Sequence, residues 1–169
     1  MADDYGLESL DLRLKRVSLP IGLVLDEVLI SGHGASVSTD PFSVHLSEPG
    51  RAVVRIHEGS VERFLEEMKP GGASDFSAQA SGGRLNIQSS VKILVEIRVD
   101  IVCSLVSDGK VIDIKIEDGE PAAARKMIES QIEKINPVLN LADLPLNITV
   151  QEIVIDEGWI ELRGSVVPS

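Results

Sequence analysis

From Val91 to Leu105 every odd position is apolar, while the even positions carry Lys92, Glu96, Arg98, Asp100 and Ser104, with Leu94 and Val102 the exceptions. This is the period-2 pattern of a strand that buries one face. On a helix the same residues would spread around the axis and leave no polar side. At about 3.3 Å per residue the stretch would span roughly 50 Å. A compact domain of this length has a diameter of about 40 Å. The pattern therefore predicts either a strand that bends strongly or an elongated domain. The odd face continues backwards through Ile87 and Leu85 with Ser89 as its weak link, which places the bend near Ser89 and Ser90.

The remaining pattern is mostly strand. Residues 1–9 read as a disordered tail. Leu10, Leu12 and Leu14 then alternate with Asp11, Arg13 and Lys15 as a first strand. A second follows Leu19-Pro20, changes apolar register at Asp26-Glu27 as a bulge would, and ends in a turn at Gly32-His33-Gly34. Short strands are expected at 37–39, 42–46 and 52–56. Ser60 is placed to cap a helix whose stripe is Val61, Phe64, Leu65 and Met68, stopped by Pro70-Gly71-Gly72. Strands resume at Phe76, with turns at Ser81-Gly82-Gly83 and Ser107-Asp108-Gly109. A second helix over about 122–135 carries Ala124, Met127, Ile128, Ile132 and Ile135, and a hairpin around Asp156-Glu157-Gly158 closes the chain. Residues 18–30 and 143–155 echo each other, each a Leu-Pro step followed by matching apolar positions, as two equivalent strands of one curled sheet would. The order predicts a single α+β domain over 1–169, with a long, strongly curved antiparallel sheet wrapped around one or two helices.

Composition narrows the function. Apolar residues make up 43% but aromatics only 3%, so Val, Ile and Leu must build the core. A net charge of −11 argues against nucleic acid and against electrostatic docking on an anionic membrane. The single cysteine, Cys103, sits on the apolar face of the long strand and reads as a buried, inert thiol. The N-terminus has no basic and apolar leader and no stretch reaches the ~18 apolar residues of a membrane span, so the chain reads as cytoplasmic.

No catalytic chemistry assembles. His33, His45 and His57 fit no metal-ligand spacing, and the glycine pairs lack a phosphate-loop context. No serine sits in a GxSxG elbow. The cluster Asp113, Glu117, Asp118 and Glu120 reads as a solvated strand and turn, and Glu62, Arg63, Glu66 and Glu67 as an exposed helix face with an Arg63–Glu67 pair. Trp159 reads as a core anchor. No catalytic residue, metal or cofactor is expected. What remains is more apolar strand face than two short helices can cover, which leaves either a sheet folded on itself or a cavity for an apolar ligand.

The stretch from His57 to Val166 resembles the LmeA-family phospholipid-binding proteins. The residues that carry the resemblance are the helix Glu58-Gly59-Ser60-Val61-Glu62-Arg63-Phe64-Leu65, the long strand, the Ser107-Asp108-Gly109-Lys110 hairpin, Leu144-Pro145-Leu146 with Val150 and Ile153, and the Asp156-Glu157-Gly158-Trp159 turn. The resemblance implies a tubular lipid-binding (TULIP) fold, a half-barrel with lipid in its apolar interior. It also allows a role at the cell envelope.

The expected function is non-enzymatic binding of a phospholipid or other fatty-acyl ligand, for transfer or sequestration. The expected lining is Ile93, Val95, Ile97, Val99 and Ile101 from the strand, with Phe64, Met68, Met127 and Ile132 from the helices. A sixteen-carbon chain would contribute up to about 12 kcal/mol before ordering costs. Transient membrane contact and a homodimer are compatible partners; nucleic acid is not. The alternative is an interaction module of the same fold with a closed core, acting through sheet edges or self-association. An esterase-like enzyme is disfavoured because no nucleophile and base can be named.

Overall fold

The computed structural model describes residues 4–92, 94–144 and 146–168, without the side chain of Phe42. The strands are β1 (Asp4–Ser18), β2 (Val24–Thr39), β3 (Phe42–Leu46), β4 (Gly50–His57), β5 (Ser74–Ser81), β6 (Arg84–Lys92), β7 (Glu96–Ser107), β8 (Val111–Glu120), β9 (Leu139–Asn140), β10 (Ile148–Asp156) and β11 (Trp159–Val166). Helix α1 (Glu58–Met68) follows β4 and α2 (Ala122–Ile135) follows β8. One sheet runs β1-β2-β4-β11-β10 with β3 also on β2; the other runs β5-β6-β7-β8-β9. All pairings are antiparallel. The architecture is the expected one, α+β with a strongly curved half-barrel sheet.

The long strand is not one strand. The chain reverses between Lys92 and Glu96 to form the β6–β7 hairpin, with Val91 opposite Ile97, Ile87 opposite Ile101 and Leu85 opposite Cys103. Odd positions face odd positions across the hairpin, so the in-out alternation passes through the turn without a break in phase. The connecting residues include no glycine, proline or asparagine, so no turn chemistry marks the reversal. Ser89 and Ser90, where a bend was expected, lie in mid-strand opposite Val99 and Arg98. Halving the strand also removes the length conflict.

The N-terminal segment is likewise ordered: residues 4–9 belong to β1, and Asp4 to Leu7 and Ser9 pair with β2. His33 is not in a turn but faces Ser9 inside β2. Gly32 serves a close approach instead, since a Cβ there would stand 2.9 Å from Leu46 Cδ1. At Asp26-Glu27 the β1–β2 register does not slip; Arg16, across from Asp26, takes a left-handed conformation (φ 54°). The sequence echo has a structural counterpart. β2 and β10 flank the central β4–β11 pair on opposite sides, and both Leu19 and Leu144 ahead of them are buried.

Helix α1 closes the gap between the sheets. Its N-cap is His57, whose Nδ1 accepts the Gly59 N–H at 3.0 Å, rather than Ser60. Ser60 is buried and donates its hydroxyl to Asp26 of β2 at 2.9 Å, and Asp26 also accepts the His57 N–H at 2.6 Å. On the other flank Glu58, Glu62 and Glu66 accept the backbone N–H groups of Ala80, Ala78 and Phe76 at 2.9, 2.8 and 2.5 Å. Four helical residues rise about 6 Å and two strand residues about 6.6 Å, so each glutamate meets the next outward N–H of the edge strand. The face read as solvated is thus a cap on β5, and Arg63 reaches the Ser60 hydroxyl, not Glu67.

Candidate functional site

Between the two sheets lies a cavity of about 30 Å³ lined by twelve apolar residues. Ile56, Ile160 and Leu162 come from one sheet, Leu85, Leu105, Ile112 and Ile114 from the other, and Val61 and Phe64 from α1. Leu23, Val138 and Leu139 complete it. No polar side chain enters the lining, so a guest there gains only apolar contact. The volume suits one water-sized guest, and an apolar void of this kind stays dry. In this conformation the cavity is too small for an acyl chain.

The nine expected lining residues separate. Phe64 is buried and lines the cavity. Val99, Ile101 and Ile132 are buried elsewhere in the core, and Ile97 is half-buried. Met127 packs partly against the core, with its Cγ beside Gly71. Met68, at the end of α1, is 40% exposed, and Val95, next to Leu94 at the hairpin tip, is 67% exposed. Both therefore lie outside the interior, because the turn and the helix terminus carry them beyond the packed layers. Ile93 lies outside the described residues. The odd face was the correct face, but the cavity forms at its Leu85–Leu105 end and not toward the tip. The partners from β4 and β11 were missed because which inner face meets the hairpin is set by sheet topology. Their alternation, Ala52, Val54, Ile56 and Ile160, Leu162, was the available signal.

The polar groups near this interior are few. Ser89, on the inner face of β6, is buried, and its hydroxyl has no hydrogen-bond partner among the described residues. Cys103 is fully buried, and loss of solvation, reinforced by Glu117, pushes its thiol up to about 12. Trp159 is not a core anchor: Arg55 lies 4.3 Å over its ring and His57 meets it edge-on at 4.8 Å. Glu117 and Asp118 of the acidic cluster contact Arg84 at 3.1 Å and Arg125 at 3.9 Å. Among the described residues no three His, Cys, Asp or Glu side chains converge as a metal site. Open clefts elsewhere are mixed in character: one of about 460 Å³ lies between Arg51, Glu152 and Arg163, and one of about 350 Å³ is lined by Leu141, Leu144 and Leu146 with Lys110 and Asn147. No described helix is long and apolar enough to cross a membrane.

The tethers of the two helices differ. Whereas α1 is fixed along its length by Asp26 and the three glutamates, the N-cap of α2, Pro121, makes no side-chain capping bond. Its C-terminal end is held: Asn136 exchanges two 2.9 Å bonds with the backbone of Ile114. Between these ends α2 lies on β7 and β8 through Ala124, Ile128, Ile132 and Ile135.

In comparisons with known proteins, the family model for LmeA-like phospholipid-binding matches residues 3–165. No curated protein and no solved structure matches the chain.

Proposed function

This chain belongs to the LmeA-like phospholipid-binding family, and from that premise we propose that it holds an acyl chain non-enzymatically in the seam between its two sheets, admitted by displacement of α2. The observation that carries the reading is the inner face of the β6–β7 hairpin. From Leu85 and Leu105 through Val99 it is continuously apolar, interrupted by the unpartnered hydroxyl of Ser89. A buried hydroxyl without a partner costs about 1–3 kcal/mol; a lipid ester carbonyl would satisfy it. Val99 and Ile101 are uncovered once α2 moves, while Met127 and Ile132 belong to the displaced helix itself.

The magnitudes are consistent with such an exchange. Uncovering Ile128, Ile132 and Ile135 costs about 2 kcal/mol each, about 6 kcal/mol together, and a methylene returns about 0.8 kcal/mol. Chains beyond about eight methylenes therefore outweigh the helix. The absence of catalysis is supported by the high pKa of the Cys103 thiol and by the valine facing Ser89. Membrane contact falls to the Leu94–Val95 tip, which projects past β5 and β8, whose pairing stops at Ser90 and Asp100.

Organic extraction of the purified protein followed by mass spectrometry tests the reading, with titration of a fluorescent phospholipid. Co-purified or stoichiometrically bound lipid is expected. The small volume of the cavity favours one rival, an interaction module with a closed core. A lipid-free protein that also ignores the fluorescent phospholipid would establish that rival instead.

A further inference from the structure

Most sheet edges in this molecule are covered. The outward N–H groups of β5 are taken by α1, the Val150 N–H of β10 bonds the Gly109 carbonyl at 2.9 Å, and β9 and β3 are short. β1 differs: it is fifteen residues long, ends its sheet, and is paired only to β2 among the described residues. It has no proline, and between Ser9 and Lys15 its charges lie on the face opposite Leu10, Leu12 and Leu14. Leu10, Leu12 and Leu14 pack on the core yet remain only half-buried, at the end of the sheet as the described residues form it.

We propose that β1 is the self-association edge of this protein, pairing antiparallel with β1 of a second copy about a two-fold axis at Leu12. Charge and polarity select that register. With Leu12 opposite Leu12, Leu10 faces Leu14, Asp11 faces Arg13, Glu8 faces Arg16 and Ser9 faces Lys15. From Leu7 to Val17 every apolar side chain meets an apolar one and every acid meets a base. Moving the axis to Asp11 or Arg13 opposes like charges, and a half-step slip sets leucines against charged residues. The contact is isologous, so both copies use one patch and the assembly closes as a dimer. Asp4, Glu8 and Asp11 balance Arg13, Lys15 and Arg16, which also spares this strand the acidity of the remaining chain. The inference is independent of lipid binding.

The test combines sedimentation equilibrium with cysteine cross-linking of the full chain. Directly opposed side chains bring their Cβ atoms to about 5 Å, so Leu12→Cys gives a disulfide-linked dimer under mild oxidation. Leu10→Cys does so only together with Leu14→Cys. Native Cys103, fully buried, stays silent. Asp11→Arg, which opposes Arg13, weakens dimerisation about tenfold or more while circular dichroism remains native. A chain that stays monomeric at all concentrations overturns the proposal. So does cross-linking of Leu10→Cys that equals or exceeds that of Leu12→Cys.

Discussion

Asp26 on β2 accepts the hydroxyl of Ser60 on α1 at 2.9 Å, joining a strand of the six-stranded sheet to the helix that caps the edge of the other. Removing the carboxylate takes the acceptor from both the buried Ser60 O–H and the His57 N–H that bonds the same oxygen, leaving the Ser60 oxygen only the bond from Arg63. Asp26→Ala is expected to cost about 2–3 kcal/mol. Ser60→Ala, which leaves the His57 bond intact, costs about 1 kcal/mol. Urea unfolding should give that order of midpoints with an unchanged m-value.

The glutamate cap on β5 has a residue-specific readout. In Glu62→Ala the Ala78 N–H loses its acceptor, while the pairing of β5 with β6 persists. Amide exchange at Ala78 should accelerate about tenfold or more, with Ala80 and Phe76 keeping the protection given by Glu58 and Glu66.

Opening of α2 sets a chain-length threshold. Single-chain lipids shorter than about eight carbons should not bind, and affinity should then rise steeply up to sixteen carbons. Calorimetry across such a series measures it. Equal affinity at all lengths would point to headgroup recognition.

At the hairpin tip, Leu94→Asp with Val95→Asp replaces two exposed apolar side chains in a segment that contributes nothing to the core. Stability should stay within about 0.5 kcal/mol, while flotation with neutral phosphatidylcholine vesicles falls about tenfold or more.

The thiol of Cys103 titrates near 9.0 when unfolded and near 12 when folded. Above pH 9 the unfolded chain binds fewer protons than the folded one, so stability is intact below that pH and falls as pH rises toward 12, by up to about 1.4 kcal/mol per unit. Cys103→Ala should flatten this alkaline slope in chemical unfolding, and native Cys103 should react with thiol reagents only after unfolding.

Much of this fold follows from chain-local chemistry. Period-2 alternation named the buried face of β6 and β7 correctly, Ser107-Asp108-Gly109 placed the β7–β8 turn, and the apolar spacing of α1 and α2 marked the two helices. These signals are legible because side-chain direction depends only on neighbours along the chain. Three things were not legible. The reversal between Lys92 and Glu96 keeps odd opposite odd and carries no turn residue, so pattern alone reads straight through it. The glutamates of α1 look like any solvated face until β5 is laid beside them. The cavity depends on Ile56, Ile160 and Leu162 meeting Leu85 and Leu105 from far along the sequence. Which side of each element turns from water is written along the chain; which buried sides meet, and how little space is left between them, is settled when the two sheets and the helices pack. Burial preference is a property of each residue, whereas packing volume is a property of the surfaces brought together.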